Sequence, residues 1–393
     1  MERLSPTLTA DERADLVALR RDFHRHPELG FQETRTMGVI AERLRALGLE
    51  PTTGVAGTGV VAVMDSGEPG PTLMLRSDMD ALPVTEAADR PYRSENEGVM
   101  HACGHDGHMA TLLTAAAVLR RLGEPKRGRL KLVFQPAEEG EGGAEHMIAE
   151  GVLSDPAVDA AFALHYWSPL ATGKAAVAAG PFMASVDDFT IHVVGKGGHA
   201  ALPHEVPDAV VAGAAVVTAL QTIASRRTDP LLPVVVTVGA FHAGTAFNVI
   251  ADKAVLRGTC RAFDEKVWLA LPGQVERVAR AAAEVHGCTV DVNFQRLHRA
   301  VINDPAMTAR VREAAAGLLG EGAVVEMRVM GGEDVSEYLS RVPGCFFFVG
   351  SGNAAKGTTA PHHSADFDLD EDALPVGCEL LVRLARDFLA DGD

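Results

Sequence analysis

The sequence predicts an α/β protein whose main domain has a mostly parallel twisted sheet with helices on both faces, and which carries an inserted, smaller α+β sandwich domain. Apolar strand-like segments alternate with helical segments through the first part of the chain, as parallel sheets require. Near residue 184 the pattern changes to alternating strands with hairpin signals, and near residue 300 the first pattern returns. We therefore predict one domain from residues 1–183 and 300–393 and an inserted domain from residues 184–299.

The first helices have recognisable boundaries. Thr9 or Asp11 can cap the first helix, which must end before Pro27, and Gly48 closes the second helix. Apolar strands and an Ala/Leu-rich helix follow, which is the order expected of a parallel sheet. The predicted elements are helices at residues 9–26, 34–47 and 109–122 and strands at residues 59–64, 72–77, 130–134 and 159–164.

The inserted domain begins with a segment that alternates apolar and polar residues, at 186–194, as in a strand with one exposed face. A glycine-rich turn at 195–199 precedes a long apolar helix. The remaining predicted elements of this domain are helices at 208–225 and 264–286 and strands at 234–241, 249–260 and 289–297. The returning main domain is predicted to contain helices at 304–319 and 374–389 and strands at 324–329 and 345–349.

Composition excludes several classes of protein. The formal charge of −17 argues against nucleic acid and anionic membranes as partners, because both require clustered basic residues. We expect no membrane span, because no apolar run is judged both long and uncharged enough. The N-terminus lacks the apolar segment of a secretory signal, and the five scattered cysteines favour reduced thiols, so we expect a cytoplasmic protein.

Residues 100–108 contain three histidines, one cysteine and one aspartate. Cys103 and His105 are two positions apart, which places their side chains on the same side of an extended segment. Gly104 and Gly107 allow the tight bend that would bring neighbouring side chains to one point. This pattern predicts a metal site, with a buried polar turn as the alternative.

Further polar residues follow the predicted strands of the main domain, and the carboxyl ends of parallel strands meet at one edge of a sheet. A single structural zinc ion needs four ligands, so a larger, mixed set from five segments predicts two metal ions that share a ligand and leave positions open for water. The set comprises Asp78, Asp80, Cys103, His105, Glu138, Glu139, His165 and either His362 or His363.

The adjacent glutamates Glu138 and Glu139 can take different roles in the site. Successive side chains point in different directions, so one carboxylate can bind metal while the other accepts a proton from water. The alternative is a solvated loop, which is disfavoured beside Pro136 and the strand before it.

Seven segments together resemble a known family: residues 24–30, 75–83, 101–108, 134–140, 164–165, 195–204 and 331–334. They closely resemble the dinuclear metal-dependent amidohydrolases of the aminoacylase and carboxypeptidase group. Within that group the likeness is to the branch of hippurate hydrolases, N-acyl-amino-acid amidohydrolases and auxin-conjugate hydrolases. The resemblance extends from about residue 21 to residue 388 and implies the fold described above.

Two divalent metal ions are expected, and their identity is open, because a thiolate favours zinc whereas imidazole and carboxylate also accept manganese or cobalt. Cys103 would be shared by the two ions, Glu138 would be the general base, and Asp80 would orient a ligand histidine. The implied ligands are Cys103, His105, Glu139, His165 and His363.

The C-terminal ligand has two candidates. The family's spacing to the following aromatic residue favours His363 over His362. Ala365 stands where the family usually has proline, so both histidines remain candidates.

In the inserted domain, the resemblance implies that His199 stabilises the oxyanion, often from a partner subunit, and that Asn248 contacts the substrate. Gly332 and Glu333 would border the pocket for the substrate's carboxylate, although Val335 stands where the family tends to have an aromatic residue. The apolar helices and edge strands of this domain suggest a homodimer.

The predicted activity is hydrolysis of the amide of an N-acylated amino acid, which yields a carboxylic acid and a free amino acid. A dipeptidase or carboxypeptidase of the same group is one alternative. A non-catalytic metal-binding or ligand-binding relative is another, but a general base such as Glu138 beside the ligand Glu139 argues against it.

Overall fold

The computed structural model describes residues 7–140 and 142–390, and these fall into two compact units. The first unit contains the described residues up to Phe182, then Ile302–Arg328 and those from Asp334 onward. The second unit contains Met183–Val301 and Val329–Glu333. Val329–Glu333 thus groups with the second unit, although the sequence analysis assigned it to the main domain. The functions predicted for the two domains remain predictions.

The helices of the described residues have capping signals of the kinds expected from the sequence. Thr9 and Glu12 form a reciprocal capping box at the first helix, and Asp208, Asp264 and Asp304 cap three later ones. The α-helices are α1 Ala10–Arg25, α2 Thr34–Ala46, α3 His105–Arg121, α4 Gly143–Ala149, α5 Ala209–Thr222, α6 Glu265–Glu284, α7 Pro305–Leu319, α8 Val335–Leu339 and α9 Leu374–Ala390.

The strands of the described residues, in chain order, are β1 Thr52–Val55, β2 Gly59–Asp65, β3 Thr72–Asp78, β4 Arg129–Gln135, β5 Ala160–Ala171, β6 Ala175–Ala176, β7 Gly180–Met183, β8 Val186–Val194, β9 Gly198–His199, β10 Val234–Ala243, β11 Val249–Ile250, β12 Lys253–Ala262, β13 Thr289–His298, β14 Val301–Asn303, β15 Val324–Val325 and β16 Gly344–Gly352.

Eight strands of the first unit form one sheet in the order β1-β2-β4-β3-β5-β16-β6-β15. The pairs β4–β3, β3–β5, β5–β16 and β6–β15 are parallel, and the remaining pairs are antiparallel. Strands β3 and β16 are buried along their whole length, as expected of strands that are covered on both faces. This mostly parallel sheet confirms the predicted fold class.

Helices cover both faces of this sheet. Leu73 and Leu75 of β3 join a large apolar core with side chains of α1, α2, α3, α7 and α9, whereas the intervening Met74 is buried outside that core. Successive residues of a strand point to opposite faces. Helix α4 contacts β4, and α8 contacts β5 and β16, so these helices account for the second face.

The second unit is an α+β layer structure. Its main sheet has the order β10-β12-β8-β13 with antiparallel pairing throughout. Alternate residues of β8, namely Phe189, Ile191 and Val193, pack with apolar side chains of α5 and α6. A separate pair, β9 and β11, joins His199 to Val249 in antiparallel register.

The helical segment Ala209–Arg227 is long and apolar enough, by length and composition alone, to cross a membrane. The expectation that no run is long and apolar enough was therefore wrong, whereas the absence of a membrane span stays a prediction. The segment consists of α5 and a following π-helical turn, Ile223–Arg227. Its buried side chains, among them Val216 and Leu220, pack in the core of the second unit.

Three predicted strands differ from the observed ones. Strand β5 continues to Ala171, because Tyr166 and Leu170 prolong its buried pattern beyond residue 164. The predicted strand 249–260 divides into β11 and β12. The predicted strand 324–329 is limited to Val324–Val325.

Candidate metal centre

The candidate centre begins at the carboxyl ends of β3 and β4. These parallel neighbours pair in register up to Asp78 and Gln135, so the residues that follow them start at the same edge. There the backbone N–H of Glu139 donates to Asp80 Oδ2 at 2.9 Å. The sheet therefore brings together two segments that are about sixty residues apart in sequence.

The amino end of α3 supplies the next side chains. Gly104 precedes the helix with φ of 91°, a left-handed conformation that glycine adopts readily. His105 lies in the first turn, and its Nδ1 donates to the backbone carbonyl of Asp80 at 2.9 Å. The other ring nitrogen, Nε2, therefore faces Glu138 Oε2 at 3.8 Å and Glu139 Oε1 at 3.9 Å.

Donor atoms of the predicted ligands converge in overlapping groups. Cys103 Sγ lies 3.4 Å from His165 Nε2, and His363 Nε2 lies 3.3 Å from Glu139 Oε1. The ligand atoms of Cys103, His105 and His165 lie within 4.8 Å of one another, and so do those of Cys103, Glu139 and His363. Cys103 belongs to both groups. His105 belongs to two further groups, one with Asp78 and His108 and one with Glu138 and Glu139, so the shared role of Cys103 remains a prediction.

The described residues fit a divalent metal ion. His105 Nε2 is buried and makes no hydrogen bond within the described part of the chain, although a buried imidazole nitrogen normally has a partner. This nitrogen lies inside the cluster of sulfur, nitrogen and oxygen donors formed by Cys103, His105, Glu139, His165 and His363. Such a mixed set suits zinc and also accepts manganese or cobalt.

The electrostatics of this cluster favour a cation. Burial alone would lower the pKa of His105, but Asp78, Asp80 and Glu139 outweigh it and raise that pKa to about 10. Burial, followed by the charges of Glu139 and Glu138, raises the pKa of the Cys103 thiol well above its ordinary value. A positive charge at this position is therefore stabilised, and the binding of a metal by Cys103 would release a proton.

The two C-terminal histidines have different surroundings. His362 Nε2 lies 2.9 Å from the Tyr166 carbonyl oxygen, and its ring packs between Trp167 and Phe367 at centroid distances of 4.6 and 4.9 Å. His363 has φ of 64° and directs Nε2 to Glu139. The nitrogen of His362 thus has a protein partner, whereas His363 faces the donor cluster.

Asp78 and His108 form a hydrogen bond with each other. His108 Nδ1 lies 2.7 Å from Asp78 Oδ1, and the backbone N–H of Tyr166 donates to His108 Nε2 at 3.0 Å. Because Nε2 accepts a hydrogen bond, the proton of neutral His108 resides on Nδ1 and is donated to Asp78. Burial tends to raise the pKa of Asp78, but His105, His108 and Arg76 hold it well below its ordinary value.

The predicted residues of the inserted domain lie in the second unit. His199 is exposed, and its Nδ1 accepts a hydrogen bond from the backbone N–H of Ala201 at 3.0 Å. Neutral His199 therefore carries its proton on Nε2 and can donate it outward. Asn248 is close by, since its carbonyl oxygen accepts from the backbone N–H of Ala200 at 3.2 Å. The predicted roles of His199 and Asn248 remain predictions.

The structure gives the surroundings of three residues in the segment 331–334. Gly332 packs so closely on Val186 that a β-carbon would overlap that side chain, which explains the glycine. Glu333 is only 2% exposed, and its predicted contact with substrate remains a prediction. Asp334 is fully buried and accepts hydrogen bonds from Arg76 at 2.9 Å and Gln135 at 2.7 Å. Its carboxylate therefore supports the sheet edge.

Two buried hydrogen-bond networks lie beside the centre and were not predicted from the sequence. Arg76 donates to Asp78, Gln135 and Asp334, and thereby ties β3 and β4 to a segment 258 residues away. Arg20 donates to Asp106 at 2.8 Å, directly next to the ligand candidate His105. An arginine inside an apolar strand was a signal for the first network, whereas Arg20 resembles an ordinary charge on an amphipathic helix.

Comparisons with known proteins agree with this geometry. The chain matches the model of peptidase family M20/M25/M40 over residues 74–387. It is 43% identical over 297 residues to the N-acyl-L-amino acid amidohydrolase of Geobacillus stearothermophilus, which covers 75% of this chain and 80% of that protein. It is 39% identical over 378 residues to thermostable carboxypeptidase 2 of Saccharolobus solfataricus, which covers 95% of both chains.

A solved structure gives the same result. The crystal structure of a Bacillus subtilis protein, described as a dinuclear metal binding peptidase from the M20 family, superposes with a TM-score of 0.83 at 34% identity. The superposition covers 97% of this chain and 99% of that one. This chain belongs to peptidase family M20/M25/M40 and is a hydrolase that acts on amide bonds with a divalent metal cofactor.

Proposed function

We propose that this protein hydrolyses the amide bond of N-acyl amino acids and uses two divalent metal ions to do so. The observation that carries the proposal is the pair of donor groups that share Cys103, next to a glutamate pair in which each member can take a separate role. A relative that is 43% identical is named an N-acyl-L-amino acid amidohydrolase, which supports the substrate class.

The proposed ligands are Cys103, His105, Glu139, His165 and His363, with zinc or manganese as the metal and cobalt as a further option. When bound, divalent ions supply Lewis acidity and lower the pKa of water towards neutrality. Asp80 would fix the orientation of His105, because its backbone carbonyl accepts from Nδ1 and leaves Nε2 directed into the cluster.

Glu138 is the proposed general base. Its side chain is nearly buried, and its Oε2 lies 3.8 Å from His105 Nε2, at the edge of the donor cluster. In hydrolysis, the Glu138 carboxylate takes a proton from the attacking water as oxygen bonds to the acyl carbon. The protonated Glu138 then delivers that proton to the amide nitrogen as the carbon–nitrogen bond breaks. The products are a carboxylic acid and a free amino acid.

We propose that His199 donates a hydrogen bond through Nε2 to the oxyanion that forms on the acyl oxygen. We also propose substrate contacts for Asn248, Gly332 and Glu333. A homodimer formed through the second unit is supported by exposed apolar side chains there, including Phe247 at 99% exposure. The five free cysteines support the proposal of a cytoplasmic location.

Two isosteric variants test the division of roles within the glutamate pair. Glu138→Gln should lose turnover of N-acetyl and N-benzoyl amino acids but keep its metal, because only the base is removed. Glu139→Gln should lose metal as well as turnover. Metal content is measured by mass spectrometry of the purified proteins. Turnover by Glu138→Gln at the parent rate would refute the mechanism.

A carboxypeptidase activity is the second candidate, because a relative that is 39% identical over 378 residues is named a carboxypeptidase. The same metal site and base would serve a peptide bond. Parallel assays of N-acyl amino acids and of dipeptides that share the same C-terminal residue distinguish the two. A higher kcat/KM for the dipeptides would replace the first proposal by the second.

A further inference from the structure

Glu33 is a completely buried carboxylate to which the mechanism above gives no role. It immediately precedes α2, but its side chain makes no capping hydrogen bond to that helix. One carboxylate oxygen, Oε1, accepts from the backbone N–H of Ala137 at 2.9 Å, and the other accepts from the hydroxyl of Thr58. The side chain thus connects the start of α2 to the segment that follows β4.

Ala137 has an unusual backbone conformation. Its φ is 54°, in the left-handed region, where the β-carbon of a residue other than glycine comes too close to the backbone. It is fully buried, and its carbonyl oxygen accepts from the backbone N–H of Gly143 at 3.0 Å. The proposed base Glu138 and the proposed ligand Glu139 follow it directly. Rotation at Ala137 would therefore change the direction of both side chains.

We propose that Glu33 is a positioning residue, whose buried carboxyl group holds Ala137 in the left-handed conformation and thereby directs Glu138 and Glu139 into the site. This inference rests on the proposed function, since it concerns the residues that would carry out hydrolysis. Glu33 itself does not touch the donor cluster through any contact described above. Its effect is transmitted through one backbone amide.

The size of the effect follows from that amide. Loss of the carboxyl group would leave the buried N–H of Ala137 without its partner, which is unfavourable because the amide is shielded from water. Together with the strain at Ala137, this favours rotation of the peptide towards an ordinary conformation. Glutamine would preserve both contacts, because its carbonyl oxygen can accept from Ala137 and its NH₂ group can donate to the Thr58 oxygen.

The chain provides a matched control. Ala56 is also left-handed, with φ of 52°, and its backbone N–H donates to Glu150 Oε2 at 3.0 Å. This is the same glutamate-to-alanine contact on a segment that carries no proposed site residue, although Glu150 is more exposed than Glu33. Glu150→Ala should therefore leave kcat and metal affinity unchanged.

The test compares the parent with Glu33→Ala, Glu33→Gln and the double variant Glu33→Ala/Ala137→Gly. Glu33→Ala should lower kcat and metal affinity by about 10-fold to 100-fold, as expected when a group that orients a ligand is lost. Glu33→Gln should stay near the parent. The glycine of the double variant removes the cause of strain and should recover much of the loss.

Hydrogen exchange provides a readout that does not depend on activity. The Ala137 amide, followed by mass spectrometry on peptides that cover residues 134–140, should exchange faster in Glu33→Ala and at the parent rate in Glu33→Gln. If Glu33→Ala does not fold, Glu33→Leu replaces it, since leucine fills the volume but accepts no hydrogen bond.

Several outcomes would overturn the proposal. These are an unchanged kcat in Glu33→Ala, equal damage in Glu33→Gln, or no recovery in the double variant. A parent protein without hydrolytic activity would instead refute the proposed function. In that case the exchange rates and metal affinities would still decide whether Glu33 positions the glutamate pair.

Discussion

Replacing Glu33 by glutamine should remove a pH-dependent part of the stability of the first unit. Burial, only partly offset by the hydrogen bond from Thr58, raises the pKa of Glu33 from 4.5 to about 7. The folded protein therefore holds a proton on this side chain that the unfolded chain has already lost. The stabilisation from Glu33 is complete below pH 4.5 and disappears as the pH rises to about 7.

The magnitude follows from the same two pKa values. Between pH 5 and pH 8.5 the parent should lose about 2.5 kcal/mol of unfolding free energy through this group, and the glutamine variant should lose none of it. Over this pH range, the unfolding free energy of the variant should therefore rise relative to that of the parent by the same amount.

Urea titrations followed by Trp167 fluorescence provide the measurement. A Trp268→Phe background, used for both proteins, restricts the signal to the first unit, because the chain contains only these two tryptophans. Other ionisable groups contribute equally to both proteins and cancel in the difference. Parallel pH profiles for parent and variant would refute the reasoning and would place the folded-state pKa of Glu33 near 4.5.

Three further predictions concern the site. Cys103→Ala should lose both of the proposed metal ions. The metal affinity of the parent should rise with pH, because the Cys103 thiol must lose its proton on binding. Burial and nearby carboxylates raise the pKa of that thiol. Full metal content in the variant would contradict the first prediction. A metal affinity of the parent that calorimetry finds unchanged with pH would contradict the second. His362→Phe should keep its metal and His363→Ala should lose metal, and the reverse result would exchange their roles. His199→Ala should lower kcat by about 100-fold to 1,000-fold at unchanged metal content, and an unchanged kcat would remove the proposed donor.

The sequence predicted those parts of the fold that depend on local pattern. Strand β3 and the acidic residues after it were predicted because an apolar run ends abruptly at Asp78. Helix α3 was predicted from its Ala/Leu-rich stretch, but its start at His105 was missed, because the left-handed Gly104 that precedes it gives no periodic signal. His165 was expected after a strand and lies inside one.

Contacts between distant residues could not be predicted in the same way. Glu33 resembles a surface charge in sequence, and its partner Ala137 is 104 positions away. Arg76 lies in an apolar run, but nothing local indicates that it binds Asp334. The pairing of His108 with Asp78 likewise depends on how β3 and α3 pack. Such hydrogen bonds follow from the tertiary structure, which periodicity does not encode.

The strand order of the large sheet also has a consequence for biosynthesis. Strand β16 lies between β5 and β6, although the whole of Met183–Val301 is translated between β6 and β16. While the ribosome synthesises the second unit, β5 has no neighbour on that side and exposes an open, apolar edge. A nascent or truncated chain that ends before Gly344 should therefore aggregate through β5 and require chaperones, whereas the second unit can already be complete.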